Sequence, residues 1–588
     1  MISAHTAPPA DSLPEALREL APGLAARDAQ GVAALLLPFA ARLREQAEPR
    51  RPKDSVDAAM AVCRELYGHG RAGEALPLLR ALREHCHSSG DRTQARRAIF
   101  LCAMAHSDGG DLVGAIEHYV EALRIAAAQE DRLEMARVWV NIGAAFGRSG
   151  RDELAVRCYE RSLALLEPTV QASSVRRNAL SNLALCCYSL GRVDEGIRHG
   201  ELALAEFGGD EGEDAYAAIL LRRNLARLLL ERGRVDEAEE HVACAVVLAD
   251  AARTPRASIA AEMTRAAHDL AVGRADFALT RIDRTLARAR EIPATLKDAL
   301  ACAVRAEEAA GFPARALMRL QELTDHVYGH AVQRTRRVIE MAGLDAAEPA
   351  SDVQRDLTRE RLASLLDPPA PPQVWPALRR LAAGAVLGMD ESGWHGVRVG
   401  TLVKALALAW GCKPLQALEL GLAAELHDIG MSSVPAAVLG KPGPLNPGER
   451  ELVRKHAEAG AAMLLNEPHP RLLLARDIAR YHHARWDGGG YPDRAGGEAI
   501  PLGARMCAIA DAYDAMVCGL GRPPVSMAHA LAELQNCAGQ QFDPELVSCF
   551  DAVVNGELHD LGLDAESTGG MDAFQELVAS LREDRGFV

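Results

Sequence analysis

The stretch ARVWVNIGAAFGRSGRDELAVRCYERSLALLEP, residues 136–168, decides the fold of the first half of the chain. Its first part carries apolar residues at helical spacing and stops at Gly150, which fits a helix end in the left-handed region. Asp152 follows where it can cap the next helix. Ala155, five residues after the glycine, is small enough to let the second helix lie close to the first. The unit reads as two antiparallel helices.

The same arrangement recurs on both sides of it. The pairs are Gly70/Ala75, Gly110/Ala115, Gly150/Ala155, Gly191/Gly196, Gly233/Ala238, Gly273/Ala278 and Gly311/Ala316. Successive glycines stand 40, 40, 41, 42, 40 and 38 residues apart. Asp111, Asp194, Asp236 and Asp276 repeat the capping position of Asp152. A fixed period of this size predicts helix pairs stacked into an α-solenoid.

GRDELAVRCYERSLALLEP (150–168) and GDLVGAIEHYVEALRIA (110–126) resemble the tetratricopeptide repeat family. Ala155, Tyr159, Ala115, Tyr119 and Ala122 hold the family's second-helix positions. That family repeats about every 34 residues, so each helix here is expected to be about half a turn to a turn longer. The resemblance covers about residues 57–330 and implies a concave surface for a protein or peptide partner.

Composition agrees with an all-α chain. Of 588 residues, 49% are hydrophobic and only 4% aromatic, too few for a β-sandwich. The net charge of −15 argues against a nucleic-acid polymer as partner. A small anion stays open, because bound metal cations reverse the local sign. No run of 18 apolar residues occurs and the N-terminus lacks signal-peptide features, so no membrane association and a cytoplasmic location are expected. The 13 cysteines form no CxxC pair and read as buried free thiols.

These signals divide the chain into an N-terminal helical segment (1–56), the repeat array of about seven units (57–343), a linker (344–374), a second helical domain (375–558) and a tail with a short helix (559–588). The linker pairs a charged helix at about 352–366 with DPPAPP at 367–372. That helix leaves room for a homodimer.

In the second domain, histidines and acids fall at informative places. Glu391 and His395 are four apart, which suits one helix face. His427 and Asp428 close a helix in AAELHDIG. His456 follows on a helix announced by Asn446, Pro447 and Glu449, a cap, a first-turn proline and a capping box. His482 and His483 end another helix, and Asp511 lies in the apolar helix ARMCAIADAYDAM. Each alone would be an ordinary surface or core residue. Together, with gaps of 32, 29 and 26 residues between the histidines at 395, 427, 456 and 482, they suit first-row transition metals.

The strings HDIG (427–430), VLGKPGPLNPGE (438–449), KHAEAG (455–460), HHARWDGGGYP (482–492), IPLGARMCAIADAYDAM (500–516) and QQFDPELV (540–547) resemble the HD-GYP branch of the HD-domain phosphohydrolases. The resemblance covers about residues 385–555. It implies a cyclic di-GMP phosphodiesterase giving pGpG or GMP, with two or three divalent transition metals, Fe or Mn first. By matching position the ligands are His395, His427, Asp428, His456, His482, His483 and Asp511. Glu391 matches the extra carboxylate of trinuclear members. His427 and Asp428 are the catalytic pair, with Asp428 suited to bridge two metals. Tyr491 and Arg522 would contact substrate. Trp486 reads as a loop residue packing on its own domain.

Three positions depart from the family pattern. Met431 stands where a phosphate-contacting lysine is usual, Ala484 where a glutamate follows the His pair, and Pro524 and Val525 where an aromatic and a cation follow Arg522. The ligands remain while two cations are gone, so an enzyme of reduced activity is expected. The alternatives are a dinucleotide sensor and a protein-interaction scaffold.

Overall fold

The structure, a computed structural model, describes residues 13–329, 374–556 and 580, apart from 22–23, 25–28, 46–51, 68–71, 109, 168, 170, 208–213, 291–292, 317, 321, 324, 327–328, 388, 391–392, 440–442, 465–468 and 521–522. The linker at 344–373, and all of the tail except Ser580, therefore lie outside the described residues. The described chain is all-α. Its only β-type pairing is an isolated bridge between Ala538 and Phe542. No described helix is long and apolar enough to cross a membrane.

Two compact units are present: residues 91–100, 118–327 and 576–588 in one, and 1–90, 101–117 and 328–575 in the other.

The first unit contains the helix pairs α7 (Arg132–Arg148) and α8 (Asp152–Ala164), α9 (Ser173–Ser189) and α10 (Val193–Ala205), α11 (Ala215–Glu231) and α12 (Val235–Ala252), α13 (Pro255–Ala271) and α14 (Ala275–Ala289), then α15 (Pro293–Ala309). Earlier in the chain come α1 (Leu13–Leu20), α2 (Ala29–Glu45), α3 (Pro52–Tyr67) and α4 (Leu76–Ser88), which fall in the second unit, and α5 (Arg92–Asp108) and α6 (Leu112–Ala128), whose residues divide between the units. The repeat glycines do what their spacing implied. Gly110, Gly150, Gly191, Gly233, Gly273 and Gly311 have φ between +70° and +81°, where a side chain would strain the backbone. Gly70 lies outside the described residues.

The capping assignment is corrected. Asp111 does cap α6, accepting from the Gly114 N–H at 2.9 Å. Asp152, Asp194, Asp236 and Asp276 instead lie inside the first turn, and the cap positions are Arg151, Arg192, Arg234 and Arg274 with no side-chain cap bond. Their carboxylates favour the helix through its dipole. True side-chain caps sit on the first helix of several pairs: Asp131, Asp214 and Thr254.

The second unit holds the C-terminal bundle: α16 (Trp375–Val386), α17 (His395–Ala409), α18 (Pro414–Ala424), α19 (Ala436–Leu439), α20 (Pro447–Arg454), α21 (His456–Met463), α22 (Pro470–Tyr481), α23 (Leu502–Cys518), α24 (Met527–Asn536) and α25 (Pro544–Gly556). Its core joins Leu378, Leu406, Leu420, Ile478, Met506, Ile509, Leu546 and Phe550. In the same unit Asp111 at the start of α6 is buried against His106 at 3.0 Å and Arg380 of α16 at 3.1 Å. Burial and the nearby Arg380 charge act in opposite senses on Asp111, and the cation holds its carboxyl well below the usual range.

None of the 13 cysteines is in a disulfide. Eight are buried, as read from the sequence, but Cys244 and Cys518 are exposed.

Candidate metal centre

Each candidate ligand owes its place to a helix end or a close contact. Asn446 caps α20, accepting from the Glu449 N–H at 2.8 Å, while Glu449 accepts from the Asn446 N–H at 2.7 Å. The expected capping box is therefore present. The helix it starts ends at Arg454, and His456 opens a separate eight-residue helix, not the continuation of a long one. His427 and Asp428 lie in the turn after α18. Behind them the chain packs tightly on α21: a Cβ on Gly430 would stand 2.0 Å from the His456 carbonyl oxygen. His482 is the C-cap of α22, and Asp511 projects from α23.

These residues converge in two adjoining groups. Asp428, His456, His482 and His483 form one, and His395, His427 and Asp511 the other, with their ligand atoms within 4.8 Å of one another in each. The ring centroids of His427 and His482 are 5.1 Å apart across the two groups. Asp428 faces both. Its Oδ1 is 3.3 Å from His456 Nε2 and 3.6 Å from His482 Nε2, and its Oδ2 is 3.5 Å from His427 Nε2.

The hydrogen bonds dictate tautomers. Nδ1 of His427, His456 and His482 faces the carbonyl oxygens of Ala424 (2.9 Å), Val453 (2.5 Å) and Ala479 (2.9 Å). A carbonyl only accepts, so each Nδ1 carries the hydrogen, and in the neutral ring the lone pair is on Nε2. The Nε2 atoms of His456 and His482 then face each other at 3.2 Å, two acceptors in contact. Buried His427 Nε2 and Asp428 Oδ1 also have no hydrogen-bond partner. Lone pairs that converge without donors cost free energy unless a cation sits among them. The donor set of imidazoles and carboxylates thus fits transition metal ions.

Electrostatics point the same way. Burial pushes His456 down to about 4, and burial with the His482 and His456 charges holds His483 well below its ordinary value. Both are neutral, the ligating form. Burial lowers His395 too, but Asp511 and Asp514 outweigh it and lift it to about 10. Burial tends to raise Asp428 and Asp511, yet neighbouring histidines hold both carboxyls well below the ordinary range. The pocket favours positive charge.

Sequence reading missed the support of His395. Asp514 accepts from His395 Nδ1 at 2.8 Å and from Arg398 at 2.6 and 2.8 Å, and Asp390 accepts from the His395 backbone N–H at 2.7 Å. A carboxylate behind a ligating histidine fixes its tautomer and orientation. The available signal was the three-residue spacing of Asp511 and Asp514, one helix face.

Glu391 and Arg522 lie outside the described residues. Helix α17 starts at His395. Tyr491 lies beside the site, its ring 4.9 Å from that of His483. Trp486 is tied to its own domain. Its backbone N–H donates to the Gln541 carbonyl at 3.0 Å, and Arg505, paired with Asp543 at 2.6 Å, sits over its ring. The departures are filled by packing. Met431 is buried with Val386 and Val434, Ala484 with Ile500 and Ala504, and Val525 lies against the main core.

With this geometry the class is plain: the chain combines an HD domain, matched over residues 379–546, with tetratricopeptide repeats, matched over 99–167 and 175–249. Among particular relatives, it is similar to a cyclic di-GMP phosphodiesterase of Thermotoga maritima, 37% identical over 163 residues, covering 27% of this chain and 44% of that one. A cyclic di-GMP phosphodiesterase of Vibrio cholerae is 38% identical over 191 residues, covering 30% and 39%. A 3'3'-cGAMP-specific phosphodiesterase 2 of the same organism is 35% identical over 158 residues, covering 27% and 30%. The chain thus spans less than half the length of each of these relatives.

Proposed function

We propose that the chain is a metal-dependent phosphodiesterase of the HD-GYP branch, acting on cyclic di-GMP and controlled by a protein or peptide bound to its repeats. The observation that carries the reading is the convergence of five histidine rings and two ionised carboxylates, with Asp428 facing both groups. The names of the relatives supply the substrate class.

Metal ions, Fe or Mn by donor type, would be held by Asp428, His456, His482 and His483 and by His395, His427 and Asp511. When bound they supply Lewis acidity at a phosphoryl oxygen and a more acidic water. The protein's own residues do the positioning. Backbone carbonyls lock three imidazoles with Nε2 inward, and Asp514 locks the fourth. Burial of His427, His456 and His482 keeps bulk water from competing for the pocket. Tyr491 offers an aromatic wall beside His483 for a guanine base. Glu391 as a further ligand and Arg522 as a substrate contact belong to the same proposal.

The test is turnover. Protein purified without oxygen and loaded with Fe or Mn should convert cyclic di-GMP to pGpG or GMP, and faster than it converts 3'3'-cGAMP. Preference for 3'3'-cGAMP would overturn the substrate assignment. A second reading, a dinucleotide sensor, is favoured by Met431 and Val525. It requires tight binding of cyclic di-GMP by the metallated protein without hydrolysis.

A further inference from the structure

We propose that Arg454 is a substrate-binding cation of this site, gripping the phosphate of the cyclic dinucleotide that is not being cleaved. The inference rests on the phosphodiesterase reading and deepens it.

A dinucleotide carries two phosphates, and metal ions held by the histidine and aspartate groups would neutralise only the one placed among them. The remaining phosphate needs a cation. At two positions where the HD-GYP resemblance implies one, this chain has Met431 and Val525. Neither leaves a vacancy that a nearby side chain could fill by a rotamer change. Met431 is only 6% exposed, within an apolar cluster against which Val453 packs. Val525 lies against the core, and its N–H donates to the Met516 carbonyl at 3.0 Å.

That cluster leads to the substitute. Three positions at one helix end have three fates. Val453 packs toward Met431, and its carbonyl accepts from His456 Nδ1. His456 joins the candidate ligands. Arg454, between them, places its guanidinium 5.5 Å from the centroid of the Tyr491 ring. That ring is 4.9 Å from His483 and 6.5 Å from His456. The cation therefore stands one aromatic ring away from the candidate ligands, on a segment fixed by one of them.

Arg454 is also available. Its side chain is 55% exposed, and the carboxylate of Glu451, one turn earlier, is 3.6 Å away and 63% exposed. A solvated pair at that distance is weak and yields to a phosphate. The planar guanidinium can engage a phosphate with two parallel N–H bonds while its face rests on the tyrosine.

The experiment compares the metal-loaded full chain with its Arg454→Ala and Arg454→Lys variants, reading KM and kcat for cyclic di-GMP and the metal content of each. Loss of one charge-assisted contact should raise KM in Arg454→Ala by roughly tenfold to a hundredfold, with a much smaller change in kcat and equal metal content. Arg454→Lys, which keeps the charge but not the planar fork, should recover part of the loss. The dependence of KM on salt should be shallower in Arg454→Ala. A KM within about twofold of the parent overturns the proposal, as does a rise that tracks lost metal, which marks a structural role (a twofold change is only about 0.4 kcal/mol). If the unsubstituted, metallated chain neither binds nor cleaves cyclic di-GMP, the phosphodiesterase reading itself has failed, which the variants alone could not produce.

Discussion

His395 and Asp514, 119 residues apart in sequence, meet at 2.8 Å between Nδ1 and Oδ2 in the buried heart of the candidate metal centre. The contact fixes which nitrogen of His395 can ligate. Asp514→Asn keeps the shape but replaces an anion that can only accept. It should lower metal affinity by about tenfold to a hundredfold. Metal titration of the anaerobic apoprotein checks this, and affinity within about twofold of the parent would contradict it.

Asp111, just before α6, pairs with Arg380 of α16. Breaking a buried pair by removing one partner leaves an uncompensated charge, so Asp111→Asn should destabilise the protein by about 3–5 kcal/mol at neutral pH. The folded-state pKa of Asp111 is depressed. Its contribution is therefore present above the ordinary carboxylate pKa near 4 and is lost as pH falls below that value. Denaturant melts of parent and variant should differ at pH 7 and converge in acid. A gap that widens toward acid would contradict the sign.

Met431 occupies a filled apolar cluster, so Met431→Lys should not restore a phosphate grip. It should instead cost about 1–3 kcal/mol of stability, because an ammonium there must be buried or pull its stem through the packing. Urea unfolding with activity in parallel separates the outcomes. A large rise in turnover at unchanged stability would show that the missing lysine alone limits the site.

How much of this could be read from residues alone depended on how local the cause is. The repeat glycines were legible because a positive φ leaves a mark at a single position, and six of them adopt it. The capping box at Asn446 and Glu449 was legible for the same reason. The aspartates after the glycines misled, because one residue of register separates a cap from a first-turn carboxylate. The candidate ligands stood out through residue type and spacing. Asp514, Asp390 and Arg398 did not, because what they do is set by contacts across the fold. The grouping of Asp111 with Arg380 is likewise a tertiary fact, carried by no motif.

The central claim is that two carboxylates and five histidines form a metal-dependent hydrolytic centre. Metal content and cyclic di-GMP turnover measured on one anaerobic preparation test it most directly. The account predicts about two or more Fe or Mn ions per chain by donor count, with turnover that rises with metal content and vanishes in Asp428→Ala. A fully metallated preparation that binds cyclic di-GMP tightly and releases no product would contradict it.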